Sequence, residues 1–242
     1  MYLFQDKIIF KPTVLAQDYK FEFETPFEEI FLETPQNGRI HSIWFKNKNP
    51  KGIIVYFHGN KAGLERWGNI TEYFAKKNYD VFVMDYRGYG KSTGELNEQL
   101  LYKDAQTVYD FVKKTYSEAD IIIYGRSLGS GIATNIASKN NPKKVILETP
   151  YFSIIDIANS WLPIIPEFIY EYKIKSGDFI KKVNCPVTIF HGTQDRVIPL
   201  SSAKKLFKAA NSPKELIIIE TANHGNINAF DVYHKKIDEL LK

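Results

Sequence analysis

From Gly52 onward the chain repeats one pattern: a short unbroken apolar run, a polar turn, then a segment with apolar residues at helical spacing. The runs are Ile53–Phe57, Val81–Met84, Ile121–Tyr124, Val145–Leu147, Val187–Phe190 and Leu216–Ile219. Runs of this length, rich in β-branched residues and without alternation, suit strands covered on both faces, as in a parallel sheet with crossover helices. The helical spacing predicts helices near 64–77, 98–115, 128–139, 201–209 and 227–241. Residues 1–50 follow a different period. Lys20–Glu24 and Glu29–Glu33 alternate apolar and polar side chains between polar turns, and Ile40–Phe45 then pairs back, which predicts a β-rich start.

One stretch breaks the rhythm. About forty residues separate the strand ending near Glu148 from the strand at Val187, more than a crossover needs. The excess is apolar and aromatic, and Pro163 and Pro166 interrupt any single long helix there. The reading is one domain over 1–242 with a small cap at about 151–180, in which Tyr151, Phe152, Trp161, Ile165 and Phe168 wall an apolar substrate pocket. The bland alternative is a further crossover helix packed on the sheet.

Composition narrows the possible partners. With 32 basic and 28 acidic side chains the net charge is +4, too small to argue for nucleic acid or an anionic membrane. The single cysteine, Cys185, cannot form an internal disulfide. No cluster of histidine and cysteine has metal-binding spacing, so no metal is expected. No apolar stretch is long enough to span a bilayer, and the first residues lack the basic start and apolar run of a signal peptide. The expectation is a soluble, cytoplasmic chain acting on a small-molecule or acylated substrate, its oligomeric state undetermined.

The candidate chemistry lies where the third central run meets a turn. Ile121-Ile122-Ile123-Tyr124 leads into Gly125-Arg126-Ser127-Leu128-Gly129, and a helical segment follows at once. Gly-x-Ser-x-Gly between strand and helix is the setting of a nucleophile elbow, where a tight turn presents the serine. A serine needs a base, and the base an orienting acid. Asp195 and His224 each follow the carboxyl end of a predicted strand, where such groups gather in open α/β sheets. Glu148, also ending a strand, competes for the acid's role. The Leu128 N–H, beside the nucleophile at a helix start, and the Asn60 N–H, in the Gly-flanked turn after the first run, are the candidate oxyanion donors.

The remaining histidines and acids have plainer readings. His41 and His234 read as surface or structural groups, and His58 and His191 as turn braces. Asp85 is expected to brace its own turn, pairing with Arg87.

These motifs, together with Phe57-His58-Gly59-Asn60, Asp85-Tyr86-Arg87-Gly88-Tyr89-Gly90 and Cys185-Pro186…His191-Gly192-Thr193-Gln194-Asp195, resemble the α/β-hydrolase superfamily, with the bud-emergence-like and palmitoyl-protein thioesterase-type branch looking closest. The resemblance covers residues 53–225. It implies a mostly parallel, eight-stranded sheet and hydrolysis of esters or thioesters through an acyl-serine, with no metal or organic cofactor. Relatives of this branch often carry an N-terminal hydrophobic anchor or acylation site; a membrane association is expected here only if such a segment precedes the chain. A serine peptidase on the same fold is the second reading, with Glu167, Glu171 or Asp178 available to hold a substrate ammonium. A non-catalytic binding protein is the third.

Overall fold

The computed structural model describes residues 5–161 and 166–242. Its eight strands are β1 (Phe27–Thr34), β2 (Gly38–Phe45), β3 (Ile53–Phe57), β4 (Asp80–Met84), β5 (Ile121–Arg126), β6 (Lys144–Glu148), β7 (Val187–Gly192) and β8 (Lys214–Ile219). They form one sheet in the order β1-β2-β4-β3-β5-β6-β7-β8. β1 and β2 pair antiparallel as a hairpin, β2 meets β4 antiparallel, and every pairing from β4 to β8 is parallel. The chain leaves β3 toward β4 on one side and returns to β5 on the other. That reversal opens a crevice at the carboxyl ends of the central strands.

Each apolar run alternates between two cores. Val55, Phe57, Ile123, Leu147 and Ile189 pack under α3 (Glu98–Val112), α4 (Leu128–Ala137) and α7 (Leu200–Ala209). Ile54, Tyr56, Ile122, Tyr124 and Ile146 pack under α2 (Leu64–Ala75) and α8 (Asp231–Leu240). Burial on both faces accounts for the central runs β3 to β7 being almost wholly apolar, Thr188 being buried among them.

Two expectations from the sequence need correction. Lys20–Glu24 forms no strand; Phe21 and Phe23 are instead anchored through their rings, Phe21 on His41 and Phe23 on Phe45 and over Gly68, leaving the backbone unpaired with the sheet. Asp85 does not pair with Arg87. The Arg87 guanidinium forks onto Asp104 (2.7 and 2.8 Å) and donates to Pro35 O and Thr34 Oγ1, tying α3 to the β1–β2 turn. Asp85 accepts the Leu64 N–H at the start of α2 and faces His58 Nε2 at 3.2 Å, while burial pushes its carboxyl pKa up.

His41 is fully buried on β2, with Nε2 3.0 Å from Glu29 Oε2. The same carboxylate oxygen receives Lys91 Nζ at 2.6 Å. Burial, only partly offset by Glu29 and reinforced by Lys91, pushes the His41 pKa from 6.5 down to about 4. Between those values the unfolded chain binds a proton that the folded chain refuses. This contribution to stability is therefore complete above pH 6.5 and declines as pH falls toward 4, by about 3 kcal/mol in all. Urea midpoints between pH 7 and 4.5 should fall accordingly, and His41→Asn should flatten that slope. An unchanged slope in the variant would assign the acid sensitivity elsewhere.

Between β6 and β7 the chain forms α5 (Ile154–Trp161), a short 3₁₀ turn at Glu167–Ile169 and α6 (Ser176–Ile180). The second half of this segment is core: Tyr172, Ile174 and Ile180 are buried with α3 and α4. The first half borders the crevice.

Candidate active site

Ser127 joins β5 to α4 at φ 51°, ψ −117°, a conformation that L-residues rarely adopt. The surroundings enforce it. The Ser127 N–H donates to Glu148 O (2.9 Å), and the Ser127 carbonyl accepts from both the N–H and the hydroxyl of Ser130 (2.9 and 2.7 Å). Two glycines make the turn possible. A Cβ on Gly125 would meet Ala133 at 2.5 Å, and one on Gly129 would collide with Phe57 O at the end of β3. The tight turn and close helix packing thereby lift the serine hydroxyl to the carboxyl edge of the sheet.

The structure brings Ser127, His224 and Asp195 together. Ser127 Oγ lies 2.9 Å from His224 Nε2, and His224 Nδ1 lies 2.8 Å from Asp195 Oδ2. A carboxylate can only accept, so the Nδ1 nitrogen carries the proton and Nε2 presents its lone pair to the serine. Asp195 is fixed by its other oxygen, Oδ1, which accepts the Val197 and Ile198 N–H groups at 2.8 and 2.9 Å. Burial alone would raise its pKa. Hydrogen bonding and charge from His224, the Ile198 N–H and the nearby His191 outweigh burial and lower it. The acid stays ionised. His191, its pKa pushed down by burial, faces the Ile198 carbonyl at 3.0 Å from Nε2 and braces the same loop.

Glu148 stands apart from this relay. It accepts from Tyr124 Oη (2.6 Å) and pairs with Arg126 Nε (3.1 Å), and Arg126 Nη2 in turn donates to Gly225 O beside His224 (3.2 Å). Its place is under the elbow, not against the imidazole. His58 braces the turn after β3, with Nδ1 donating to Gly59 O at 2.6 Å.

A cavity of about 520 Å³ opens over Ser127. Asn60, Ser127, Leu128 and Tyr151 line it, with Tyr151 Oη donating to Leu128 O. Ile154, Ile157, Ala158 and Trp161 of α5 line it, as do Ile169 and Tyr170. Arg196, Val197 and Ile198 follow Asp195 along another side. Among the described residues neither the Asn60 nor the Leu128 N–H donates to a backbone carbonyl, and both residues border the cavity beside the serine. A carbonyl oxygen placed between them would find two fixed donors, one at the start of α4 where the helix dipole favours negative charge.

Two of the expected pocket residues do not line it. The Phe152 ring packs over Gly177, and its backbone N–H donates to Ser202 Oγ, which turns it toward α6 and α7. Phe168 is 73 % exposed, and its neighbour Ile169 faces the cavity instead. Ile165 lies outside the described residues. The sequence reading missed Gln5, Ile8 and Ile9, which line the cavity from α1 (Gln5–Ile9), at the opposite end of the chain from His224.

A family model described as "Serine aminopeptidase, S33" matches residues 48–179, more than half of the chain. The chain belongs to this family of α/β hydrolases. Full-length relatives agree. The hydrolase is 30% identical over 241 residues to alpha/beta hydrolase domain-containing protein WAV2 of Arabidopsis thaliana, covering 87% of this chain and 78% of that protein. It is 28% identical over 221 residues to human alpha/beta hydrolase domain-containing protein 17B, covering 88% of this chain and 75% of the other. Among solved structures, an esterase from Pyrococcus furiosus superposes with a TM-score of 0.78 at 17% identity, covering 96% of both chains. Acetyl xylan esterase 1 from Thermoanaerobacterium sp. gives 0.72 at 17% identity, over 93% of the hydrolase and 86% of the esterase. At that identity the likeness is one of fold. Among the described residues no helix of the hydrolase is long and apolar enough to cross a membrane, and no group of histidine, cysteine and acidic side chains is arranged to hold a metal ion.

Proposed function

We propose that the hydrolase cleaves carboxylic esters or thioesters of apolar acyl groups through an acyl-serine intermediate. The observation that carries this reading is a Ser127–His224–Asp195 relay opening into a cavity with no acidic lining residue among those described. Ser127 Oγ attacks the acyl carbonyl as His224 Nε2 takes its proton. Asp195 keeps the imidazole in the competent tautomer and stabilises the imidazolium. The Asn60 and Leu128 N–H groups hold the developing oxyanion. The C–O or C–S bond then breaks, and His224 returns the proton to the leaving alkoxide or thiolate. Water, deprotonated by the same imidazole, attacks the acyl-serine and frees the acid.

The family's description favours a second reading, an aminopeptidase. Holding a substrate ammonium needs an anion near the acyl site, and the acids expected for that work are engaged elsewhere or absent from the cavity wall. Glu167 pairs with Lys175 and Lys173, and Asp178 with Lys181. The backbone N–H of Glu171 is held by Gln5, and among the described residues neither Glu171 nor any other carboxylate lines the cavity. The charged side chain that does line it is a cation, Arg196.

A panel of p-nitrophenyl esters, acyl thioesters and aminoacyl anilides separates the two. Each methylene buried against Ile154, Ile157 and Trp161 contributes at most about 0.8 kcal/mol. The octanoyl ester should therefore exceed the acetyl ester in kcat/KM by about one to two orders of magnitude. Trp161→Ala should reduce that ratio. A steady decline from acetyl to octanoyl would limit the site to small acyl groups, and a preference for anilides would establish the peptidase.

A further inference from the structure

We infer that residues 5–11 are a strap that completes the substrate cavity and holds the oxyanion loop, with Ile9 setting the length of acyl chain the cavity accepts. The inference rests on the ester-hydrolase reading and adds to it a residue that determines specificity.

Both ends of the strap are fixed. Gln5 is buried, and both ends of its carboxamide are engaged: Nε2 donates to Ile169 O at 2.7 Å, and Oε1 accepts the Glu171 N–H at 2.9 Å. Those bonds join the first helical turn to the segment that brings Ile169 and Tyr170 to the cavity. Phe10 is buried at the other end, edge-on to Tyr172 with ring centroids 5.0 Å apart. Between these anchors Ile8 and Ile9 line the cavity.

Three hydrogen bonds then tie this region to the loop after β3, and a fourth holds that loop from the turn after β4. Asn60 Nδ2 donates to Ile9 O (3.0 Å), the Lys11 N–H donates to Asn60 O (2.9 Å), and the Ala62 N–H donates to Lys11 O (3.1 Å). Tyr89 Oη, from the turn after β4, adds a bond to Asn60 O (2.8 Å). Ala62 sits at φ 64°, so the loop turns through the left-handed region directly beside the ladder. The backbone of Asn60, proposed to present an oxyanion donor, is thus positioned by the segment that walls the cavity. A substrate chain lying against Ile9 bears on the residue whose carbonyl holds the Asn60 side chain.

The test compares Ile9→Phe and Ile9→Ala with the wild type on acetyl, butanoyl, octanoyl and dodecanoyl p-nitrophenyl esters. The octanoyl-to-acetyl ratio of kcat/KM is the readout, since a loss of folded protein cancels from it. Ile9→Phe fills the cavity and should lower the ratio by about ten-fold or more, while Ile9→Ala should move the optimum to a longer chain. Calorimetric titration with decanoate supplies a readout independent of turnover, and Ile9→Phe should weaken that binding by about ten-fold. If the wild type binds decanoate, cleaves no ester and loses binding in Ile9→Phe, the strap stands and the esterase reading falls. Chain-length profiles and decanoate affinities identical in all three proteins would overturn the strap. So would a wild type that neither binds decanoate nor cleaves octanoyl esters.

Discussion

Ser127→Ala is expected to abolish covalent labelling by a fluorophosphonate probe and to lower kcat by on the order of 10⁶. The relay geometry sets that size. Ser127 Oγ is the hydroxyl that His224 Nε2 faces at 2.9 Å, and the members of such a relay act as a unit. The residual rate should remain above that in water, because the two backbone donors survive the substitution. Alanine meets the same backbone strain at the positive φ as serine, so the fold should be retained, as circular dichroism can verify. Labelling of the alanine variant at the wild-type intensity would place the nucleophile elsewhere.

The second large effect is expected at Asp195. In Asp195→Asn the carbonyl oxygen should remain on the Val197 and Ile198 N–H groups, which leaves the amide nitrogen facing His224. An amide nitrogen donates, so the imidazole must accept at Nδ1 and carry its proton on Nε2, toward the serine. That is the wrong tautomer for a base, and kcat should fall by roughly 10³–10⁴ with the fold intact. Glu148→Gln is the contrasting variant. It weakens a buried pair with Arg126 and should lower the unfolding temperature far more than turnover. Should Glu148→Gln cause the larger loss of kcat, the acid's role passes to it.

The central strands were readable because burial on both faces leaves a strand no reason to carry polar residues. Ile121–Tyr124 carries no charged or strongly polar residue, Val187–Phe190 only Thr188, and both fall within β5 and β7. The elbow was equally visible, since Gly125 and Gly129 stand where a side chain would strike Ala133 or Phe57. The hairpin edge was less clear: Phe21 and Phe23 alternate like strand residues, yet their rings find partners without backbone pairing. In the segment between β6 and β7, aromatic density alone did not reveal direction. Tyr151 and Trp161 border the cavity, Phe152 turns to Gly177 and Phe168 to the surface. The wall from α1 left no local trace at all. Gln5 meets Ile169 across 164 residues of sequence, and a glutamine at the start of a one-turn helix carries no mark of a partner that distant. For the same reason Arg87 was matched to its neighbour Asp85 instead of to Asp104 on α3.

The separation of the relay along the chain also bears on how the hydrolase comes into being. Ser127 and His224 lie 97 residues apart, and the ring between them is held by a loop that follows the last strand of the sheet. Tyr233, on the helix after that loop, reaches back to the Tyr124 hydroxyl at 3.0 Å beneath the elbow. Contacts of such long range form late, after the loop-closure entropy of the intervening chain has been overcome. A nascent chain that has completed β5 and its elbow therefore still lacks the imidazole proposed to act as its base. Under the proposed mechanism, turnover needs the loop after β8 as well as the elbow, so it would report complete folding and leave partly folded molecules chemically silent.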